Sequence, residues 1–289
     1  MNASTPKISL VICSRNRAGQ LGEMLTRLST TDAAIHRVEV ILVDSASDDG
    51  TIDLMKSFAS TAKFPVVIAQ VERPGLGRAR NEGIRRSSGD LICFTDDDCY
   101  LAPDYFTKFT KNVNPGRCHY GMGTILLFDS ADDVRVANLR IEKKRVLPAR
   151  SLLPAGSIQG ANMFFLRSVF QKAGLFDERM GAGTDFPCED IEMATRASLA
   201  GFVGIQIPEP VVHHHHRRKA GSPEADATVA QYDFGRGAYY ASLIARGVPG
   251  VWDFWRNCGG LEQPLSAGKL SSLERELKGA TCLLAEFNK

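Results

Sequence analysis

Short apolar runs recur through the first hundred residues, each closed by a polar loop and followed by residues at helical spacing. Ile8-Ser9-Leu10-Val11-Ile12-Cys13 gives way to Ser14-Arg15-Asn16-Arg17, after which Leu21, Met24, Leu25 and Leu28 return at helical intervals. Val38–Val43 is closed by Asp44-Ser45-Ala46-Ser47-Asp48-Asp49-Gly50, and a helix begins near Thr51 with Ile52, Met55 and Phe58 on one face. A strand over Pro65–Val71 and a helix over Arg78–Ser87 follow. The strand Leu91–Phe94 then runs into Thr95-Asp96-Asp97-Asp98. This strand-helix alternation predicts an α/β fold with a mostly parallel sheet. Such sheets bind ligands beyond the carboxyl ends of their strands, where every one of these polar loops falls.

The rest of the chain is less regular. Tyr120–Phe128, Ala161–Leu166 and Ile205–Val212 read as strands, and Glu189–Leu199 as a helix that ends before Gly201. Residues 131–150 are mildly basic, and the pattern from about Thr228 onward is helical. The segment Val251-Trp252-Asp253-Phe254-Trp255-Arg256 mixes aromatics with charge, which suits either core packing or a membrane interface.

Composition narrows the classes. At 289 residues, 44% hydrophobic and 24% charged, the chain can bury a core without covalent staples. A net charge of +2, from 35 basic and 33 acidic residues, gives no global reason to bind nucleic acid. Seven cysteines, odd in number and without a C-x-x-C pair, read as free thiols in a reducing compartment. The N-terminus, Met-Asn-Ala-Ser-Thr-Pro-Lys, lacks the apolar region of a leader, and no stretch approaches the ~18 apolar residues that span a bilayer. The expected location is cytoplasmic, with peripheral attachment to the inner face of the membrane left open.

Three adjacent carboxylates at a strand end, Asp96-Asp97-Asp98, repel one another unless a cation or solvent relieves them. On extended chain Asp96 and Asp98 point the same way, so the pair suits a hard divalent cation, Mg²⁺ or Mn²⁺, that bridges a diphosphate. Gly75-Leu76-Gly77-Arg78-Ala79-Arg80-Asn81-Glu82-Gly83 opens a helix. Its glycines let backbone approach a ligand and its arginines offset phosphate charge, although Arg78 and Arg80 cannot both face one way.

Taken in order, Ile8–Arg17, Val43–Thr51, Gly77–Gly83, Thr95–Asp98, Gly160-Ala161-Asn162 and Glu189-Asp190 resemble an inverting family 2 glycosyltransferase of the A-type nucleotide-sugar fold, over roughly residues 7–216. The resemblance implies a domain at 1–219, with a donor half to about 118 and an acceptor half from about 119, followed by a helical C-terminal extension at 220–289. It implies Asp44 as the nucleobase partner, a helix cap being the other use of such a residue. It implies Ser14, Arg15 and Arg17 around base or ribose, and Arg80, Asp96 and Asp97 toward the donor. Asp190 becomes the base that takes the acceptor hydroxyl's proton, with Glu189 second. Gly160 and Asn162 face the acceptor, and the loop 181–186 becomes a mobile cover. Of the run His213–His216, extended chain puts His213 and His215 on one face, and these two are expected to complete the metal site with Asp96 and Asp98.

The function so implied is transfer of a hexosyl or deoxyhexosyl group from a nucleotide-diphosphate sugar to a saccharide or lipid-linked acceptor, in polysaccharide or glycolipid synthesis. Two other classes compete. A sugar-phosphate nucleotidyltransferase shares sheet and acidic site, but its glycine-rich signature fits Ser14–Gly19 poorly. A non-catalytic nucleotide- or carbohydrate-binding protein needs no separate Glu-Asp pair.

Overall fold

The computed structural model describes residues 7–259 and 266–287. The N-terminal stretch read above for a leader lies, but for Lys7, outside the described residues. The N-terminal half is built from β1 (Ile8–Ser14), α1 (Ala18–Leu28), β2 (Val38–Ser45), α2 (Thr51–Thr61), β3 (Val66–Val71), α3 (Leu76–Arg86) and β4 (Leu91–Asp96). β1 pairs in parallel with β2 and β4, and β2 with β3. β1 and β2 are buried along nearly their whole length, as strands covered by helices on both faces must be. The polar residues inside them are paired: Ser9 Oγ donates to Glu39 at 2.6 Å and the Lys7 ammonium lies 2.8 Å from the same carboxylate.

The chain continues through β5 (Cys99–Leu101), α4 (Tyr105–Asn112), β6 (Tyr120–Leu127), β7 (Arg145–Leu147), β8 (Met163–Leu166), α5 (Arg167–Ala173), α6 (Glu189–Leu199) and β9 (Gly204–His214). Among the described residues these complete one sheet in the order β3-β2-β1-β4-β8-β6-β9-β5, with β7 on β9. β8 runs antiparallel to β4 and β6, so the parallel order ends at the middle of the sheet. β9 extends two residues beyond the expected Val212 and takes His213 and His214 into the sheet.

The C-terminal region is helical, as expected: α7 (Pro223–Ala245), α8 (Val251–Gly259) and α9 (Ala267–Phe287). α7 starts five residues before Thr228 because Ser222 caps it, accepting from the Ala225 N–H, with Pro223 at its first position. α7 and α9 cross at Gly237 and Gly279. A Cβ on Gly237 would lie 1.7 Å from the Glu276 carbonyl oxygen, so the two backbones touch. At the crossing the Glu276 carboxylate accepts from Arg236 at 2.9 Å and from the Trp255 indole at 2.6 Å. Trp255 is thus core, whereas Trp252 stays 61% exposed. No described helix is long and apolar enough to cross a membrane.

Candidate active site

The in-register pairing of β1 with β2 and β4 sets Ser14 opposite Asp44 and Cys13 opposite Asp96, so three polar strand ends share one level. A cleft of about 890 Å³ opens there, lined by Ser14, Arg15, Arg17, Arg80 and the three aspartates on the donor side. Ser14 Oγ donates to Asp97. The Arg17 guanidinium lies 4.0 Å from Asp97 and 3.9 Å from Asp98. Burial, with the Asp98 charge beside it, pushes Asp97 up to about 6.

The structure corrects the histidine assignment. In the antiparallel pairing of β5 and β9, Cys99 lies opposite His214 and Tyr100 opposite His213. Directly opposed residues share a face, so His214 lies with Cys99 and away from Tyr100 and His213. Its Nε2 is 3.2 Å from Asp98. His213 pairs with Tyr100, and His215 hydrogen-bonds the Tyr100 hydroxyl at 3.0 Å while its ring packs on Phe128. Those two expected ligands lie with the aromatic cluster over which the Arg27 guanidinium sits, 4.6 Å from each ring. The alternation holds, and it is the other face, with His214, that lies beside Asp98.

Asp98, Cys99 and His214 bring their ligand atoms within 4.8 Å of one another. Cys99 is fully buried, which pushes its thiol well above the ordinary value and leaves it protonated. The remaining donors are a carboxylate and an imidazole. Burial is the largest single influence and works against the Asp98 charge, but the His214 hydrogen bond and the charges of His214, Arg17 and Arg218 together outweigh it and hold Asp98 below the usual carboxylate range. This oxygen and nitrogen pair fits a hard or borderline divalent cation. Asp96, expected beside Asp98, is not in that group. Its carboxylate lies 3.3 Å from Arg80, which supplies the counter-charge.

Arg80 is 2% exposed and bridges Asp96 to Glu189. Gly160 permits this, since a Cβ there would come within 2.3 Å of the guanidinium. Arg78 points outward to Glu178 at 3.2 Å, which resolves the choice between the two arginines. Asn81 is a brace: its amide donates to the Phe176 carbonyl at 3.0 Å and accepts from the Phe176 N–H at 2.9 Å.

Glu189, paired with Arg80, is a fixed charge. Asp190 is half-buried and lines the cleft, accepting only the Gly160 and Ile191 backbone N–H groups, at 2.8 and 2.7 Å. Burial and the Glu189 charge push it up to about 7, against the opposing pull of Arg80. A carboxylate tuned so close to neutrality is suited to proton transfer.

Asn162 turns into the sheet and does not line the cleft. It is 1% exposed, donates to the carbonyls of Thr124 at 2.9 Å and Pro210 at 3.0 Å, and accepts from the Tyr105 hydroxyl at 2.7 Å. These bonds tie β8 to β6 and β9 and leave nothing for a ligand. Asn162→Ala should therefore cost stability, ~1–3 kcal/mol for each buried group left unpaired. Chemical unfolding would measure it, and an unchanged midpoint would refute the structural role. Gly160 does line the cleft, together with Gln159, which sequence reading passed over.

Asp44 is fully buried. One oxygen accepts from Gln70 at 2.9 Å and from the Ser47 N–H at 3.3 Å, and the other has no partner. It is the neighbouring Ser45 that lines the cleft. Of Arg217, Arg218 and Lys219, the outer two are held by Glu23 and by Asp129 with Asp132, and Arg218 reaches the cleft. The loop 181–186 is hydrogen-bonded within itself and to α3, where the Leu76 N–H donates to Ala182 at 2.9 Å.

The family model "Glycosyl transferase family 2" matches residues 9–174. Glycosyltransferase AglE of Haloferax volcanii is 23% identical over 207 residues, which are 70% of this chain and 64% of that protein. The chain thus spans just under two thirds of that relative. Among solved structures, the mannosyltransferase PcManGT of Pyrobaculum calidifontis, in complex with GDP-Man and Mn²⁺, matches with a TM-score of 0.64 at 17% identity, covering 99% of this chain and 80% of that one. S. aureus TarS 1-349 in complex with UDP-GlcNAc matches with a TM-score of 0.60 at 14% identity, covering 96% and 83%. The likeness to both is one of fold, and with more than half its length under the family model the chain belongs to glycosyl transferase family 2, with the A-type fold.

Proposed function

We propose that the protein transfers a sugar from a nucleotide-diphosphate donor to an acceptor hydroxyl with inversion at the anomeric carbon. The observation that carries this reading is one cleft holding both the Asp98–His214 pair and, on another element, the near-neutral Asp190. The domain division at about 219, with donor and acceptor halves meeting near 118, belongs to the same reading.

Ser14, Arg15, Arg17 and Ser45 receive the nucleoside. The unpartnered Asp44 oxygen supports a role toward the base, as acceptor of an imide N–H. Asp98 and His214 would hold a divalent cation, Mg²⁺ or Mn²⁺. Bound there, such an ion supplies positive charge to the leaving diphosphate. Arg218 adds a fixed positive charge on the same side. Asp190 takes the proton of the acceptor hydroxyl as its oxygen bonds to the anomeric carbon and the bond to the diphosphate breaks. The attack comes from the face opposite the leaving group, so configuration inverts. Two related folds were solved with different donors, GDP-Man and UDP-GlcNAc. Nucleobase and sugar are therefore questions for experiment.

Thermal unfolding with UDP, GDP and dTDP, each with and without Mn²⁺, tests the reading. One nucleotide should raise the midpoint only when the ion is present, and indifference to all three would overturn the proposal. His214→Ala should weaken this binding by more than the ~10–100-fold that loss of an outer-shell partner costs. His213→Ala and His215→Ala should leave it unchanged. Equal losses in all three variants would remove His214 from the site.

A further inference from the structure

Part of the cleft is not absorbed by donor, cation or base. At about 890 Å³ it lies near the top of the ~300–1,000 Å³ range of small-molecule pockets. Its remaining wall comes from the loop before Gly160 and from α7, a helix that lies outside the family-matched residues.

Two side chains on this wall are chemically idle within the chain. Gln159 precedes the residue whose N–H holds Asp190, and its side-chain carbonyl oxygen is buried with no hydrogen-bond partner. Tyr232, on α7, is half-buried and lines the cleft. Its hydroxyl makes no hydrogen bond to another described residue, yet lies close enough to Arg218, Asp190 and Asp96 to feel their charges. Burial pushes it up to about 12, so it remains a donor across the neutral range.

α7 is not free to carry Tyr232 elsewhere. Its Tyr239 hydroxyl joins Thr195 of α6 at 2.7 Å and donates to the Leu153 carbonyl at 2.7 Å. A Cβ on Gly235 would lie 2.5 Å from the Pro187 ring, just before the Glu189-Asp190 pair. The helix is thus seated against the segment that presents the base.

Resting on the transferase reading, we propose that Gln159 and Tyr232 form the acceptor subsite and that the acceptor is an uncharged saccharide. One ring face lies on the Tyr232 phenol, and a hydroxyl beside the attacking one bonds to the Gln159 amide. An aromatic with a polar tip suits a ligand that is apolar on its ring faces and polar at its rim. An anionic acceptor fits this wall less well. Asp190 and Asp96 face it. Of its nearby arginines, Arg218 is the one assigned above to the leaving diphosphate, while Arg236 pairs with Asp233 and Glu276, and Arg135 with Asp133 and Asp226.

The test uses the whole chain with Mn²⁺, radiolabelled UDP-GlcNAc, UDP-glucose and GDP-mannose as donors, and two acceptor sets. One set is p-nitrophenyl hexopyranosides; the other is glycerol 3-phosphate and polyprenyl phosphate. Label should pass to a hexopyranoside. Gln159→Ala and Tyr232→Ala should each raise the acceptor KM about tenfold, the size of one lost hydrogen bond or stacking contact. Tyr232→Phe, which keeps the ring, should fall between wild type and Tyr232→Ala. The nucleotide Kd should stay within about twofold in all three. Transfer only to phosphate-bearing acceptors, no transfer by a chain that binds nucleotide, or an unchanged acceptor KM would each overturn the subsite. A wild-type chain that binds no nucleotide would instead overturn the transferase reading on which it rests.

Discussion

Asp190→Asn is expected to lower the transfer rate by ~10²–10⁴-fold, the usual contribution of a positioned base, while Mn²⁺-dependent nucleotide binding persists. The amide keeps the shape of the carboxylate and can accept one of its two backbone hydrogen bonds, which fall on different oxygens, but it cannot take a proton. Retained turnover in this variant would end the assignment. The wild-type rate carries a second signature. With Asp190 pushed up to about 7, the acid form dominates below neutrality, so kcat/KM should rise with pH through that value and then level. Stability should move the other way. A carboxyl raised in the folded state stays protonated there after the unfolded chain has released its proton, so the folded chain loses ground as pH climbs from the ordinary carboxylate range through about 7. Denaturant midpoints and rates measured on the same samples across pH 5 to 9 would show opposite slopes, and parallel slopes would contradict the tuning.

Arg80→Met should be the most disruptive single substitution in the cleft. Arg80 is the buried counter-ion of Glu189 and also neutralises Asp96. Breaking a buried pair from one side costs ~3–5 kcal/mol, because the stranded charge has neither water nor partner. Urea unfolding would read this loss. The double variant Arg80→Met/Glu189→Gln should recover much of it, since the more deeply buried of the two stranded charges is then gone. Arg80 also holds the Asp190 value down. Its removal should therefore shift the rising limb of the rate profile to higher pH in whatever folded enzyme remains. Full stability in Arg80→Met, or a double variant no better than the single, would refute the counter-ion role.

The donor half was legible in the sequence because its signals are local. An apolar run followed by a helical repeat fixes each strand-helix unit, and the polar closures mark one end of the sheet. Glu189-Asp190 opens its helix as read, and Arg80 is the arginine that faces the site. Sequence and structure part where a side chain's direction depends on a partner strand. Nothing local to His213–His216 says which face meets the aspartates. That follows from the antiparallel β5, a three-residue strand directly after Asp98 that carries no periodic signal of its own. Asn162 fails for the same reason: its polar atoms are taken by Thr124, Pro210 and Tyr105, each distant in sequence. Gln159 and Tyr232 were missed because isolated polar residues on a loop and a long helix carry no spacing to read.

Gly237 and Gly279 bring α7 and α9 into backbone contact at a crossing that does not line the cleft. Two absent methyl groups thereby act as a gauge. A side chain at either glycine would drive the two backbones apart, and with them the helix that carries Tyr232 on the cleft wall.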